Sequence, residues 1–350
     1  MEKDTQQEQG QVPTKIKYSK SSSFYLKTKQ NYFDNNTSLL SDAATANKLY
    51  SSQPIRTTCK ICREKISNEI DLYSHGIGYI FCANCSHLNG QFEETQEFVE
   101  QLYITNSGNQ YSKDYIDKDF NQRTMDIYYP KLEFLIQNLT NKNFELLDVG
   151  SGAGYFVNAA LMKKIRARGL DVNKTMVDFG NTQIFHNHKQ SPLTLASEDS
   201  FFQSIVEADV DVISALGVIE HLRDPHMFFE AFRKSKAQYL FYIVPMVSFS
   251  IILESIFSKV YPRVLSGGHT HLFTDESVLK MNQQMGSKSI AEWRFGADAF
   301  DLYRCLSISL KSTKLNQYFD MKMLNSIDEF QHIIDKKHFC SELHGLIKKI

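Results

Sequence analysis

At 350 residues, with 42% hydrophobic and 23% charged residues, the sequence has the make-up of a globular protein with room for one large domain and a smaller unit. A formal net charge of -1 excludes a global basic field, which counts against a large nucleic-acid partner. No run reaches the roughly 18 apolar residues of a membrane span, and the opening MEKDTQQEQG lacks the apolar core of a signal peptide.

Residues 1–54 are rich in Gln, Ser, Asn, Thr and Lys and read as a polar, poorly ordered arm. Residues 55–92 form a separate unit bracketed by two cysteine pairs, Cys59 and Cys62 in CKIC and Cys82 and Cys85 in CANC, with 19 residues between the pairs. That spacing fits a closed, structural zinc site of four thiolates. Two dithiols would be the other reading, and His75 and His87 are taken as bystanders. Six cysteines so distributed suit a reducing compartment, so a cytoplasmic protein is expected. Residues 93–142 turn helical and serve as a linker or lid, with Ile127, Tyr128, Leu132, Leu135, Ile136 and Leu139 at helical spacing.

From 143 to 296 strand and helix patterns alternate. FELLDVG, ARGLDVN, LTLAS, DVDVISAL and QYLFYIVP read as strands. GYFVNAALMKKI, KTMVDFGNTQIF and DPHMFFEAFRKS read as helices between them. Apolar strands separated by amphipathic helices predict an α/β fold with a doubly wound, mostly parallel sheet. Residues 297–350 read as C-terminal helices, in SIDEFQHIIDKK and SELHGLIKKI, after a helix GADAFDLYR whose Asp298, Asp301 and Arg304 suggest a salt-bridged face. No internal repeat is evident, and Cys305 and Cys340 stand singly.

In such a sheet, ligands bind beyond the carboxyl ends of the strands, which points to the first strand–helix turn, LLDVGSGAGYF. Its glycines, Gly150, Gly152 and Gly154, are spaced GxGxG. Tyr155 stands where a dinucleotide fingerprint needs its last glycine, which argues against NAD or FAD, and no GK[ST] follows to make a P-loop. The turn resembles the first motif of class I S-adenosylmethionine-dependent methyltransferases, whose seven-stranded sheet is then the expected architecture. The resemblance implies that Asp148 holds the amino-acid end of the cofactor. It also implies that Gly150, Ser151, Gly152, Gly154 and Tyr155 surround the methionine and ribose.

Asp171 ends the second strand about 20 residues further on, where a carboxylate can accept hydrogen bonds from ribose hydroxyls. A helix-capping role is compatible with that, and Val172 follows it into the site. ALGVIEHLRDP resembles the fourth motif of the family, adding Leu216, Gly217, Val218 and Glu220 to the cofactor set. Ser197, Glu198 and Asp199 stand at the adenine position by a looser match.

A zinc module joined to such a domain is similar to bacterial methyltransferases of polysaccharide, deoxysugar and natural-product pathways. The sugar C-methyltransferases of that group carry a long further C-terminal domain, for which this chain is too short. O-methylation of a glycan or activated sugar is therefore the expectation. Removal of the acceptor proton calls for a base, and His221, His269 and His271 are the candidates. Two of these lie in GGHTHLFT, whose glycines suggest a flexible loop over the substrate opening. Metal binding by His269 and His271 with Glu220, or a structural crossing loop in which Thr274 caps the next helix, are the other readings of that loop. Three other functions stay open: an RNA or protein methyltransferase reading its target through the zinc module, a sugar C-methyltransferase, and a binding protein without turnover.

Overall fold

The computed structural model describes residues 13–22, 25–26, 29, 31–101, 119–265, 269–310 and 312–350. In chain order the first elements are β1 (Lys15–Tyr18), α1 (Asn36–Ser51), β2 (Leu72–Ser74), β3 (Ile77–Phe81), β4 (Leu88–Gly90) and α2 (Tyr129–Asn138). The alternating part follows as β5 (Glu145–Val149), α3 (Tyr155–Met162), β6 (Arg166–Asp171), α4 (Lys174–Phe179), β7 (Leu193–Leu195), α5 (Glu198–Glu207), β8 (Val212–Leu216), α6 (Pro225–Lys234) and β9 (Tyr239–Pro245). The remaining elements are α7 (Phe249–Ile256), β10 (His271–Leu272), α8 (Asp275–Gln284), β11 (Ser287–Phe295), α9 (Asp298–Ser309), α10 (Thr313–Lys336) and β12 (Glu342–Lys349).

An eight-stranded sheet runs in the order β1-β11-β12-β9-β8-β5-β6-β7. The five strands from β7 to β9 pair in parallel, and β12 runs antiparallel to both of its neighbours. Alternate residues explain why both faces are covered. Leu147, Val149, Ile213, Leu240 and Val244 pack with α5, α6 and α8 on one side. Leu146, Val212, Phe241 and Leu346 pack with α2 and α3 on the other. The fold is the expected mixed α/β class. Strand order reverses between β5 and β8, which opens a crevice at their carboxyl ends.

Three expectations differ from the structure. SELHGLIKKI is the strand β12, inserted between β9 and β11, and not a helix. Leu343, Leu346 and Ile347 carry helical spacing only because a strand buried on both faces is apolar on both. Opposite Tyr242, a side chain at Gly345 would lie 2.4 Å from the ring, so this strand needs its glycine for packing.

The stretch expected to be an arm contributes β1, paired in parallel with β11, and the 16-residue α1. Its helix docks through Ala43, Asn47 and Tyr50 and through amide bonds such as Asn36 Nδ2 to Lys259 O at 2.9 Å, not through an apolar stripe. Its first 12 residues, like 102–118 of the expected linker, lie outside the described residues. The cysteine unit is not separate either. Cys59, Ile61, Ile66, Ile80, Cys82 and Cys85 share one hydrophobic cluster with Phe228, Phe229 and Met281, and β10 adds itself to the small sheet as β10-β4-β3-β2.

The salt bridge expected on the helix of Asp298, Asp301 and Arg304 is present, Arg304 Nη2 standing 3.2 Å from Asp301 Oδ1, and all three residues are buried at 0–1% exposure. Arg263 Nε donates to Asp301 at 2.8 Å and Ser250 Oγ to Asp298 at 2.7 Å, so the charges compensate one another inside the protein.

Candidate functional site

The four cysteines of the two CxxC pairs converge. Their sulfurs lie within 4.8 Å of one another, with Cys59 and Cys85 at 3.6 Å and Cys62 and Cys82 at 3.4 Å. Tetrahedral zinc with bonds of about 2.3 Å would hold its sulfurs roughly 3.8 Å apart, so the donor set fits that ion. The two pairs sit on matching turns. Cys59 N donates to Glu64 O and Cys82 N to His87 O, while Arg63 N donates to Cys59 O and Ser86 N to Cys82 O. Arg63 and Ser86, at the same place in each turn, both have positive φ, at 62° and 56°. This is a short structural repeat that the sequence reading, which found none, misses.

At the reversal point, Gly150, Gly152 and Gly154 all have positive φ (67°, 54° and 82°), a conformation that side chains resist. A Cβ at Gly150 would meet Val218 Cγ2 at 2.5 Å, so the turn after β8 closes directly onto the glycine turn. At Gly152 a Cβ would meet only Met176 Cε, at 3.3 Å, and the backbone is correspondingly open to a ligand there.

Asp171 holds this arrangement together. Its carboxylate accepts from Gly152 N and from Asn173 N, each at 2.7 Å, and Asn173 in turn caps α4. Each carboxylate oxygen keeps a further lone pair for a ribose hydroxyl. Burial raises the Asp171 carboxyl, against these backbone bonds. Asp148, at the end of β5, is 4% exposed and accepts from Ser214 Oγ at 2.7 Å. Burial pushes its carboxyl up to about 7 in spite of that bond. A cationic ligand group would restore the ionised form.

Other cofactor candidates divide. Ser151 Oγ is buried with no hydrogen-bond partner among the described residues, and Gly217, with φ 71°, begins the turn that carries Glu220. Val172 is exposed and Leu216 half-buried at the crevice. Tyr155 is buried and stacks on Tyr128 at 5.4 Å, so its ring serves packing. Ser197 caps α5 through a reciprocal pair with Ser200; the Glu198 and Asp199 side chains lie outside the described residues.

The three histidines also separate. His271 Nε2 faces the Glu220 carbonyl at 3.0 Å and therefore donates to it. His271 Nδ1 must then accept from His87 Nε2 at 2.9 Å, and His87 Nδ1 from Ser277 Oγ at 3.2 Å. Both rings are fully buried, both of their nitrogens are committed, and burial drives their pKa values well below the ordinary value. His271 thus braces the turn, which corrects its assignment as a base. Sequence reading took His87 for a bystander because its partner is 184 positions away.

His221 and His269 come together, with rings stacked 5.2 Å apart, and Glu220 joins them. The Glu220 carboxylate is buried, pushed up to about 8 by that burial, and its Oε2 has no hydrogen-bond partner among the described residues. Gly267 and Gly268 of the expected flexible loop lie outside the described residues.

Two groups near the crevice went unread in the sequence. Burial pushes Lys131 down to about 8, although Glu342 pulls it up and Asp148 lies within its electrostatic reach. Glu342, which burial alone would raise, is held at about 2 by a hydrogen bond from His344 and by Lys131 and Arg263. Both stand on elements, α2 and β12, whose place beside the crevice is a tertiary fact with no local signature.

A glycine cradle at a topological reversal point, pinned by a buried aspartate, defines a nucleotide-type cofactor domain of the doubly wound class. Residues 147–237 match the family model described as a methyltransferase domain. That match falls on the same strands and turns, so this part of the chain carries a methyltransferase domain. No curated protein matches the chain.

Among solved structures, a SAM-dependent methyltransferase from Archaeoglobus fulgidus is 18% identical with a TM-score of 0.41, over 63% of this chain and 92% of that one. The magnesium protoporphyrin IX methyltransferase from Synechocystis PCC 6803, with bound SAH, is 11% identical with a TM-score of 0.44, over 73% and 100%. Likenesses this loose say nothing of the acceptor. Among the described residues no helix is long and apolar enough to cross a membrane.

Proposed function

We propose that this enzyme transfers the methyl group of S-adenosylmethionine to a hydroxyl of a sugar, glycan or related small polar metabolite, and that zinc held by Cys59, Cys62, Cys82 and Cys85 stabilises the fold. The observation that carries the acceptor class is the company around the crevice. Glu342 lies within electrostatic reach of Lys131, Glu220 and His269, a set of compact hydrogen-bonding and charged groups suited to a polyhydroxylated ligand.

In this reading Asp148 meets the ammonium of the cofactor and Asp171 its ribose, while Gly150 and Gly152 let the backbone approach. The cofactor supplies an activated methyl and a neutral leaving group. The protein's task is to align the acceptor oxygen in line with the methyl–sulfur bond and to take up its proton. His221 and His269, with rings 5.2 Å apart, are the candidates to manage that proton, directly or through a group they hold.

The test begins with calorimetric titration of S-adenosylmethionine into the wild type and Asp171→Ala. Loss of the carboxylate is expected to weaken binding by about 1.5–3 kcal/mol. Radiolabelled cofactor with panels of nucleotide sugars, oligosaccharides and tRNA then reads the acceptor. Label in the tRNA panel alone would replace the sugar assignment with a nucleic-acid one. A well-folded protein that binds no cofactor would sink the reading.

A further inference from the structure

Glu220, His221 and His269 offer one carboxylate and two imidazole donors whose ligand atoms lie within 4.8 Å of one another. Resting on the reading above, we propose that they form a second metal site, for a first-row divalent cation, and that its open coordination positions bind the acceptor hydroxyl.

Three observations converge on this. The donor set is two nitrogens and one oxygen on one side of a point, the pattern that leaves positions free for a ligand. His269 Nδ1 lies 3.0 Å from Val264 O and so donates to that carbonyl, which turns a lone pair on Nε2 toward the cluster. A backbone acceptor on the far ring nitrogen is the usual orientation device for a metal-bound histidine. Lastly, Glu220 Oε2 is buried without a hydrogen-bond partner among the described residues, while the Glu220 backbone is held in place by His271. A buried carboxylate oxygen in that condition needs either a proton or a cation.

With bonds of about 2.1 Å, neighbouring ligand atoms would stand roughly 3 Å apart, so the cluster has to contract by less than about 2 Å. Glu220 Oε1 and His221 Nε2 are 4.0 Å apart as they stand. The site stands beside the glycine turn: a Cβ at Gly217 would lie 3.6 Å from Glu220 Oε1, and one at Gly150 would meet Val218 of the same turn.

A cation there would favour the acceptor in its alkoxide form. The O–H proton leaves to solvent, the oxygen lone pair forms the new C–O bond, and the methyl–sulfur bond breaks with its electron pair remaining on sulfur as the neutral thioether. His221 and His269 then act as ligands and no longer as bases.

The experiment uses full-length protein whose cysteine site is filled with zinc, titrated with Co²⁺ and followed by visible absorption and metal counting. One additional Co²⁺ per chain is expected, with the weak bands of nitrogen and oxygen coordination and none of the intense thiolate charge transfer. Glu220→Gln and His269→Ala should each weaken it 10-fold or more. Because Glu220 is buried, His269→Ala on its loop is the variant that decides if the other misfolds. No additional Co²⁺, or one whose affinity His269→Ala leaves unchanged, overturns the site. S-adenosylmethionine binding measured on the same samples separates the two readings. Retained cofactor binding without the second cation refutes this proposal alone, and absent cofactor binding refutes the methyltransferase assignment beneath it.

Discussion

The contact between Gly150 and Val218 joins the glycine turn to the turn after β8, and it can be tested as a pair. In Gly150→Ala the new Cβ would stand 2.5 Å from Val218 Cγ2 and 3.3 Å from Cγ1, but 3.5 Å from Val218 Cβ. The backbone at φ 67° adds a left-handed penalty of about 1–2 kcal/mol for alanine. Overpacking adds about 1–3 kcal/mol, giving a loss of roughly 2–5 kcal/mol for the single variant. Removing both γ-methyls in Val218→Ala costs about 1–3 kcal/mol by itself but leaves only an ordinary contact for the alanine. The double variant should therefore recover about 1–3 kcal/mol relative to the sum of the singles. Urea unfolding of the four proteins measures this coupling. If Gly150→Ala costs the same in both backgrounds, the turns do not meet as described. A loss of cofactor affinity in Gly150→Ala, measured by calorimetry on the folded fraction, should shrink in the double variant in parallel.

Three further outcomes follow from the crevice and the cysteine site. Asp148, raised to about 7 by burial, must ionise to hold an ammonium, so cofactor affinity should rise about 10-fold per pH unit up to about pH 7 and then level. Asp148→Asn should abolish that slope, and calorimetry in buffers of different ionisation enthalpy should detect the released proton only in the wild type. Without cofactor the sign reverses, because the folded state binds this proton more tightly than the unfolded chain. The stability it contributes is full below the ordinary carboxyl range and is lost as pH rises through about 7, which thermal melts across that range would show. Cys82→Ser should reduce bound zinc from one per chain to near zero and destabilise the whole domain by more than about 3 kcal/mol. The cysteines share a core with α6 and α8, so a single cooperative transition is expected. Separate melting of the cysteine unit would contradict that shared core.

The strands from β5 to β9 and three of the four helices between them were legible because buried parallel strands are apolar runs cut by polar turns; α5 (Glu198–Glu207) went unread. The glycine turn, Asp171 and the cysteine spacing were equally legible, since each encodes its chemistry within a few residues. What failed was non-local. A strand buried on both faces mimicked a helix at 342–349, and a helix docked by asparagine and tyrosine instead of leucine looked like a disordered arm at 36–51. His271 and His87 differ from His269 only in what they meet across the fold, so no pattern of spacing could have singled out the buried brace. Lys131 and Glu342 carry no motif, and only the closing of α2 and β12 around the crevice gives them meaning.

The insertion of β12 between β9 and β11 has a consequence for how this protein is made. Its partner β9 leaves the ribosome roughly a hundred residues earlier, which at about 5–20 residues per second means an interval of at least several seconds. During that interval the edges of both β9 and β11 are open, and both carry apolar side chains that later become core. Nascent chains stalled before residue 342 should therefore present two templates for wrong pairing. Their demand for chaperones should fall sharply once the last strand is synthesised and slides into its slot.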